Sequence, residues 1–133
     1  MTYVVAYIAT AVVFLGLDAL WLSRVALGMY RQELGNLLLE KPNLPVAGAF
    51  YLLYVAGIVI LAIVPALGEG GWIKALLMGA VLGLVAYGTY DITNLSTLRG
   101  WSVKLAVIDI AWGTALTAAS ATIGYLVVKA FNL

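Results

Sequence analysis

The chain is organised around residues 87–101, which read YGTYDITNLSTLRGW. This stretch closes a long apolar run and carries the densest group of polar side chains in the protein. Four of its side chains recur at i, i+3, i+4 and i+7: Tyr87, Tyr90, Asp91 and Asn94. That spacing places all four on one face of a helix. Because an aspartate inside an apolar helix is costly without a partner, we expect groups elsewhere in the chain to meet this face.

The composition of the whole chain is that of a membrane protein. Of its 133 residues, 65% are hydrophobic and only 10% are charged, whereas soluble domains average about 45–50% apolar and about 25% charged residues. A helix needs about 20 residues to cross a bilayer, so residues 1–133 have room for four spans in a single domain. The net charge of +1 argues against binding of nucleic acid.

The residue types that are missing limit the chemistry of the chain. It contains neither cysteine nor histidine, which excludes thiolate and imidazole ligands for haem, zinc or copper and an imidazole base for catalysis. We therefore expect no cofactor and no metal site.

Four apolar segments are predicted to cross the bilayer as helices: about Tyr3 to Arg24, Leu44 or Pro45 to Leu67, Trp72 to Leu95, and Trp101 to Lys129. The first lacks the charged n-region of a signal peptide and is too long for its apolar region, so it is interpreted as a retained helix. The turn 68–71, with sequence GEGG, forces the third helix to return beside the second. Rows of small residues at every fourth position predict close helix packing: Ala75, Gly79 and Gly83; Ala111, Ala115 and Ala119; and Gly113, Thr117 and Ala121. The predicted fold is all-α, an antiparallel bundle of four transmembrane helices.

The connection from Val25 to Leu44 has two interpretations. Its apolar residues recur near helical spacing among charged ones, which favours an amphipathic helix lying at the membrane interface. The alternative is that the first helix continues for two turns and is followed by a loop.

The predicted orientation follows from the lysine and arginine residues that flank the spans. Five of the seven border the first and third connections: Arg24, Arg31, Lys41, Arg99 and Lys104. Only Lys74 and Lys129 lie on the opposite side. This bias places both termini outside and the two basic connections in the cytoplasm.

The polar groups of the four helices are predicted to meet at one depth. Asp18, Asp91 and Asp109 each lie six to seven residues from the same membrane face, which is about 9–11 Å at about 1.5 Å per residue. Tyr51 and Tyr54 fall at a similar depth. Neighbouring carboxylates repel and need protonation or a cation. The candidate ligand-binding residues are Asp18, Trp21, Tyr51, Tyr54, Tyr87, Tyr90, Asp91, Asn94, Asp109 and Trp112.

The first and fourth helices share a short sequence pattern, an aspartate followed three residues later by a tryptophan. Asp18 and Trp21 have the same spacing as Asp109 and Trp112, so in each pair the tryptophan lies one turn along from its aspartate. Because the two helices are antiparallel, we expect the two tryptophans on opposite sides of the aspartate level.

The chain also resembles a bacterial family of small membrane proteins that is catalogued only as a domain of unknown function. The resemblance rests on YDITNLSTLRGW at 90–101, LDALWL at 17–22, FYLLY at 50–54 and DIAWG at 109–113. It covers essentially the whole chain and implies a bacterial inner-membrane protein. It implies no activity.

Two classes of function remain open beside a purely structural role. An aromatic cavity with carboxylates suits the binding or transport of a cation or a small amphiphile. Alternatively, the aspartates could serve an enzyme that acts on a lipid, as general acid and base or as oxygen ligands for Mg²⁺. The expected partners are the lipid bilayer and a lipid or small amphiphile in the cavity; assembly of several copies is left open.

The predicted orientation is tested with a topology reporter fused after Leu133. A reporter that is active only outside the cytoplasm should be active there, because the basic connections hold the C-terminus on the opposite side. The same reporter inserted near Asn36 is the control and should be inactive. Activity of a cytoplasm-only reporter after Leu133 would reject the orientation.

Overall fold

The computed structural model describes residues 1–39 and 41–133, so Glu40 of the first connection lies outside the described residues. Its elements, in order, are α1 (Thr2–Trp21), a π-helical turn (Leu22–Ala26), α2 (Leu27–Leu34), a 3₁₀ turn (Gly35–Leu37), α3 (Leu44–Ile58), a second π-helical turn (Val59–Ile63), α4 (Val64–Gly68), α5 (Gly71–Thr97) and α6 (Val103–Ala130). The described residues form no strand.

These elements join into four helical spans that are long and apolar enough to cross a membrane: Thr2–Leu37, Leu44–Gly68, Gly71–Thr97 and Val103–Ala130. The prediction of an all-α protein with four transmembrane helices is confirmed. The spans begin and end within a few residues of the predicted bounds, except that the first continues well beyond Arg24.

Local sequence signals explain where the later spans begin. The Asn43 side chain accepts a hydrogen bond of 3.2 Å from the Val46 amide, and Pro45 lies in the first turn of α3, where its missing N–H costs nothing. Ser102 caps α6 in the same way, with 3.1 Å to the Leu105 amide. Gly70 precedes α5 with a φ of 103°, a conformation that favours glycine.

The first connection adopts the second of its two predicted arrangements. The helix does not break after the first span; it passes through the π-helical turn Leu22–Ala26 and continues for two turns as α2. Beyond the π turn, α2 lies beside the start of α6, where Lys104 Nζ is 4.0 Å from a Glu33 carboxylate oxygen. A separate amphipathic helix is therefore not formed, because no proline interrupts the helix between Trp21 and Leu34.

The second span contains a π-helical turn just before Pro65. Proline has no N–H to donate to the carbonyl four residues earlier, and its ring crowds that carbonyl. The wider π turn at Val59–Ile63 takes up this mismatch. The helix therefore continues three residues past Pro65, to Gly68, before the chain turns back.

The packing is centred on α6, which contacts α1, α5 and the second π turn. The predicted row of small residues on α5 faces α6: Ala75, Gly79 and Gly83 are all buried. On α6 the predicted row Gly113, Thr117 and Ala121 is also buried. The prediction of close packing is wrong for the row of Ala111 and Ala115, which lies on the opposite face of α6 and is exposed. At Gly83 the two backbones approach so closely that an added Cβ would lie 2.9 Å from the Thr114 Cα and would also strike the Gly113 carbonyl. Such contacts supply much of the association energy of helices in lipid.

Gly83→Ala should therefore lower the stability of the bundle. We expect a loss of about 1–3 kcal/mol in the free energy of unfolding, the usual cost of overpacking, measured by thermal unfolding in detergent. Gly88→Ala on the same helix is the matched control, because its Cβ would meet nothing within 4 Å. Equal effects of the two substitutions would contradict the close α5–α6 contact.

Candidate functional site

A cavity of about 530 Å³ that is partly open to the surface lies near the end where α5 gives way to α6. Phe50 and Tyr90 in its wall are exposed. Its volume falls in the range of pockets that hold small organic ligands. Its wall is mostly apolar and aromatic and includes two carboxyl groups. The lining residues are Phe14, Leu22, Tyr30, Leu34, Leu38, Phe50, Tyr51, Tyr54, Ala86, Tyr87, Tyr90, Asp91, Trp101, Leu105 and Asp109.

Asp91 is the most unusual group in this wall. No part of its surface is exposed, and neither of its carboxylate oxygens has a hydrogen-bond partner among residues 1–39 and 41–133. Asp109 is its charged neighbour, but two ionised carboxylates are both acceptors and cannot bond each other without a shared proton. Arg99, the cation nearest to Asp91 in the sequence, is exposed and is not part of the one ion pair within these ranges.

Asp109, by contrast, has a donor within the protein. The Tyr30 hydroxyl donates to its Oδ1 over 2.8 Å, joining α2 to α6 across the cavity. Trp21 lies beside the same hydroxyl. Tyr30 is not among the ten predicted site residues, because its spacing in the sequence assigns it to the apolar face of the first connection. The signal was a hydroxyl group on a segment whose spacing already indicated a helix.

Asp18 is buried but does not line the cavity. It accepts a hydrogen bond of 3.2 Å from Trp112 Nε1, and Tyr51 lies close to it. Trp112 comes three residues after Asp109, so this bond joins Asp18 to the next turn of α6. Asp18 is thus the one aspartate of the three that does not line the cavity.

The prediction that the Trp21 and Trp112 side chains lie on opposite sides of the aspartate level is wrong, because their rings meet. The Trp21 and Trp112 rings stack with their centroids 4.5 Å apart and their planes within 6° of parallel. Helical side chains lean toward the N-terminus of their own helix. Because α1 and α6 are antiparallel, the two rings lean toward each other and meet between the helices.

Three tyrosines form the inner wall of the cavity. Tyr54 shares a hydrogen bond of 2.9 Å with the buried Thr117 hydroxyl, and its ring meets the Tyr87 ring edge to face at 6.2 Å. The Tyr87 ring rests on Gly113, where any added Cβ would collide with it. Tyr51 packs edge to face on Phe14 at 5.6 Å. The wall is thus held by contacts from all four spans.

The structure gathers six of the ten predicted site residues around the cavity: Tyr51, Tyr54, Tyr87, Tyr90, Asp91 and Asp109. The other four do not line it: Asp18, Trp21, Asn94 and Trp112. Trp101 joins the wall instead, with its ring edge to face with Tyr90 at 5.7 Å. Within the described ranges, no group of three or more acidic, cysteine or histidine side chains is arranged to hold a metal ion.

Comparison with known proteins gives a family. A family model described as a predicted membrane protein, DUF2177, matches residues 3–126. The chain belongs to this family. No curated protein and no solved structure matches the DUF2177 chain. Its four spans agree with the family description, which names no activity.

The Tyr30–Asp109 bond of the DUF2177 chain can be measured by a double-mutant cycle of Tyr30→Phe and Asp109→Asn. Hydrogen bonds between helices in membranes average about 0.6 kcal/mol and reach about 1.7 kcal/mol, so a coupling free energy of this size is expected from thermal unfolding in detergent. A cycle of Tyr30→Phe with Asp18→Asn is the control, since Asp18 bonds Trp112 instead. Coupling as large in the control would show that the bond is not specific.

Proposed function

We propose that the protein binds or transports a small amphiphile with one positively charged group in the cavity between its helices. The observation that carries the proposal is Asp91, a buried carboxylate in the cavity wall with both oxygens unpartnered among the described residues. A buried polar group without a hydrogen-bond partner is destabilising, so a donor from outside the chain, placed in the cavity, would relieve it.

The contrast between Asp18 and Asp91 supports a binding role over a purely structural one. An aspartate that only holds helices together is expected to have a donor on a neighbouring helix, and Asp18 has one in Trp112. Asp91 has none among residues 1–39 and 41–133, although tyrosines surround it. Its position therefore costs stability without a compensating bond, as is common at functional sites in membranes.

The rest of the wall suits an organic cation. Its aromatic rings, among them Tyr87, Tyr90 and Trp101, can attract a cation through their faces, an interaction that strengthens when water is excluded. Leucines and Phe50 supply apolar contact for a hydrocarbon body. An inorganic ion would leave this apolar part of the wall without contact.

The proposal places the protein in the inner membrane of a bacterium, with both termini outside. The Lys and Arg bias supports this orientation. Under it, the cavity lies near the cytoplasmic face, because Trp101 and α2 belong to the two basic connections. A ligand would then be taken up from the cytoplasm or from the inner leaflet.

The proposal is tested by titrating octylammonium into the protein in zwitterionic lipid nanodiscs, with tryptophan fluorescence or calorimetry as the readout and empty nanodiscs as the blank. We expect saturable binding that 1-octanol does not reproduce. Asp91→Asn should weaken it by at least about 10-fold, since removing one member of a close charge pair costs more than about 1.4 kcal/mol.

Asp18→Asn is the matched control, because it makes the same chemical change outside the cavity. It should bind octylammonium as the unaltered protein does. Absence of saturable binding, or equal binding by the Asp91→Asn variant, would refute the proposed function.

A further inference from the structure

We infer that the charged group of the ligand carries N–H donors, as a primary ammonium or a guanidinium does, and that a quaternary ammonium is rejected. This inference rests on the proposed function and specifies the head group that the cavity selects. It follows from the hydrogen-bonding state of the polar groups around Asp91.

The carboxyl groups of Asp91 and Asp109 supply hydrogen-bond acceptors in the cavity wall. Asp91 contributes two buried oxygens that no donor from residues 1–39 and 41–133 reaches. The neighbouring Asp109 already accepts from Tyr30 at Oδ1. Among residues 1–39 and 41–133, the Tyr30 hydroxyl is thus the one donor that hydrogen-bonds either carboxyl group.

The tyrosine hydroxyls that could donate to Asp91 include two that already have other partners. The Tyr30 hydroxyl is engaged with Asp109, and the Tyr54 hydroxyl is engaged with Thr117. The Tyr51 hydroxyl lies beside Asp18. Tyr30 and Tyr54 therefore cannot donate to Asp91 without breaking these bonds, and the other donors of the wall, on Tyr87, Tyr90 and Trp101, make no hydrogen bond to it in the structure.

The head group of the ligand would have to supply the missing hydrogen-bond donors. A primary ammonium offers three donors and a guanidinium five, whereas a quaternary ammonium offers none. Hydrogen bonds between ionised partners are among the strongest in proteins, and a buried acceptor left unpaired carries a penalty. A quaternary head would neutralise charge and contact the rings, yet it would leave both Asp91 oxygens unpaired and shielded from water.

The body of the ligand would contact the apolar part of the cavity wall. This part is formed by aliphatic and aromatic side chains: Leu22, Leu34, Leu38, Phe50 and Leu105. A cavity of about 530 Å³ with this lining accepts a hydrocarbon body attached to the donor-bearing head. The ligand class is therefore an alkylamine-like or alkylguanidine-like amphiphile.

A matched pair of probes tests the inference: octylammonium and octyltrimethylammonium, which share chain length and charge and differ in N–H donors. In nanodiscs, we expect octylammonium to bind at least about 10-fold more tightly, the scale of one charge-assisted hydrogen bond. In the Asp91→Asn variant, the preference should fall below about 3-fold, while Asp18→Asn should retain it.

The outcomes separate this inference from the proposed function. If octyltrimethylammonium binds as tightly as octylammonium, and both depend on Asp91, the proposed function stands and the donor requirement is overturned. If neither probe binds saturably, the proposed function itself fails.

A third probe keeps the test decisive if Asp91→Asn does not fold. Octylguanidinium, measured on the unaltered protein, should bind within about 10-fold of octylammonium because it also donates. Binding as weak as that of octyltrimethylammonium would overturn the inference.

Discussion

The constraint on which the structure depends is the absence of water inside a bilayer, which leaves buried polar side chains to find their partners within the chain. The three aspartates meet this constraint differently. Asp18 accepts from Trp112 and Asp109 accepts from Tyr30. Asp91 accepts from no described residue. The bundle thus satisfies the carboxylates that join helices and leaves open one that lines the cavity.

The cavity lies beside the point where the first span departs from regular α geometry. The π turn at Leu22–Ala26 redirects the first span, so that α2 lies over the start of α6 and Tyr30 reaches Asp109. At the other end, α5 and α6 pack backbone to backbone at Gly83. The bundle is therefore tight along the glycine seam and open beside α2, where the larger aromatic rings hold the helices apart.

This division gives the binding proposal its physical basis. Binding depends on a difference between the free and occupied states, and a carboxylate already bonded within the protein offers little such difference. Asp91 offers a large one, because an added cation with N–H groups would supply donors to two unpaired acceptors. The requirement for N–H donors follows from the same two acceptors, and the apolar wall adds the preference for a hydrocarbon body.

The sequence by itself determined the four spans, the turn at 68–71 and the close face of α5, because these depend on local periodicity and on conformational preferences of single residues. It also placed six cavity residues among its candidates. Only the tertiary structure decided that Asp18 does not line the cavity with Asp91 and Asp109, that the two tryptophans stack, and that Tyr30 belongs to the site. The reason is that contacts between distant segments set these features: the axial register of two packed helices, the lean of their side chains and the path of the chain after a π turn. The spacing of residues within one helix carries no information about such contacts.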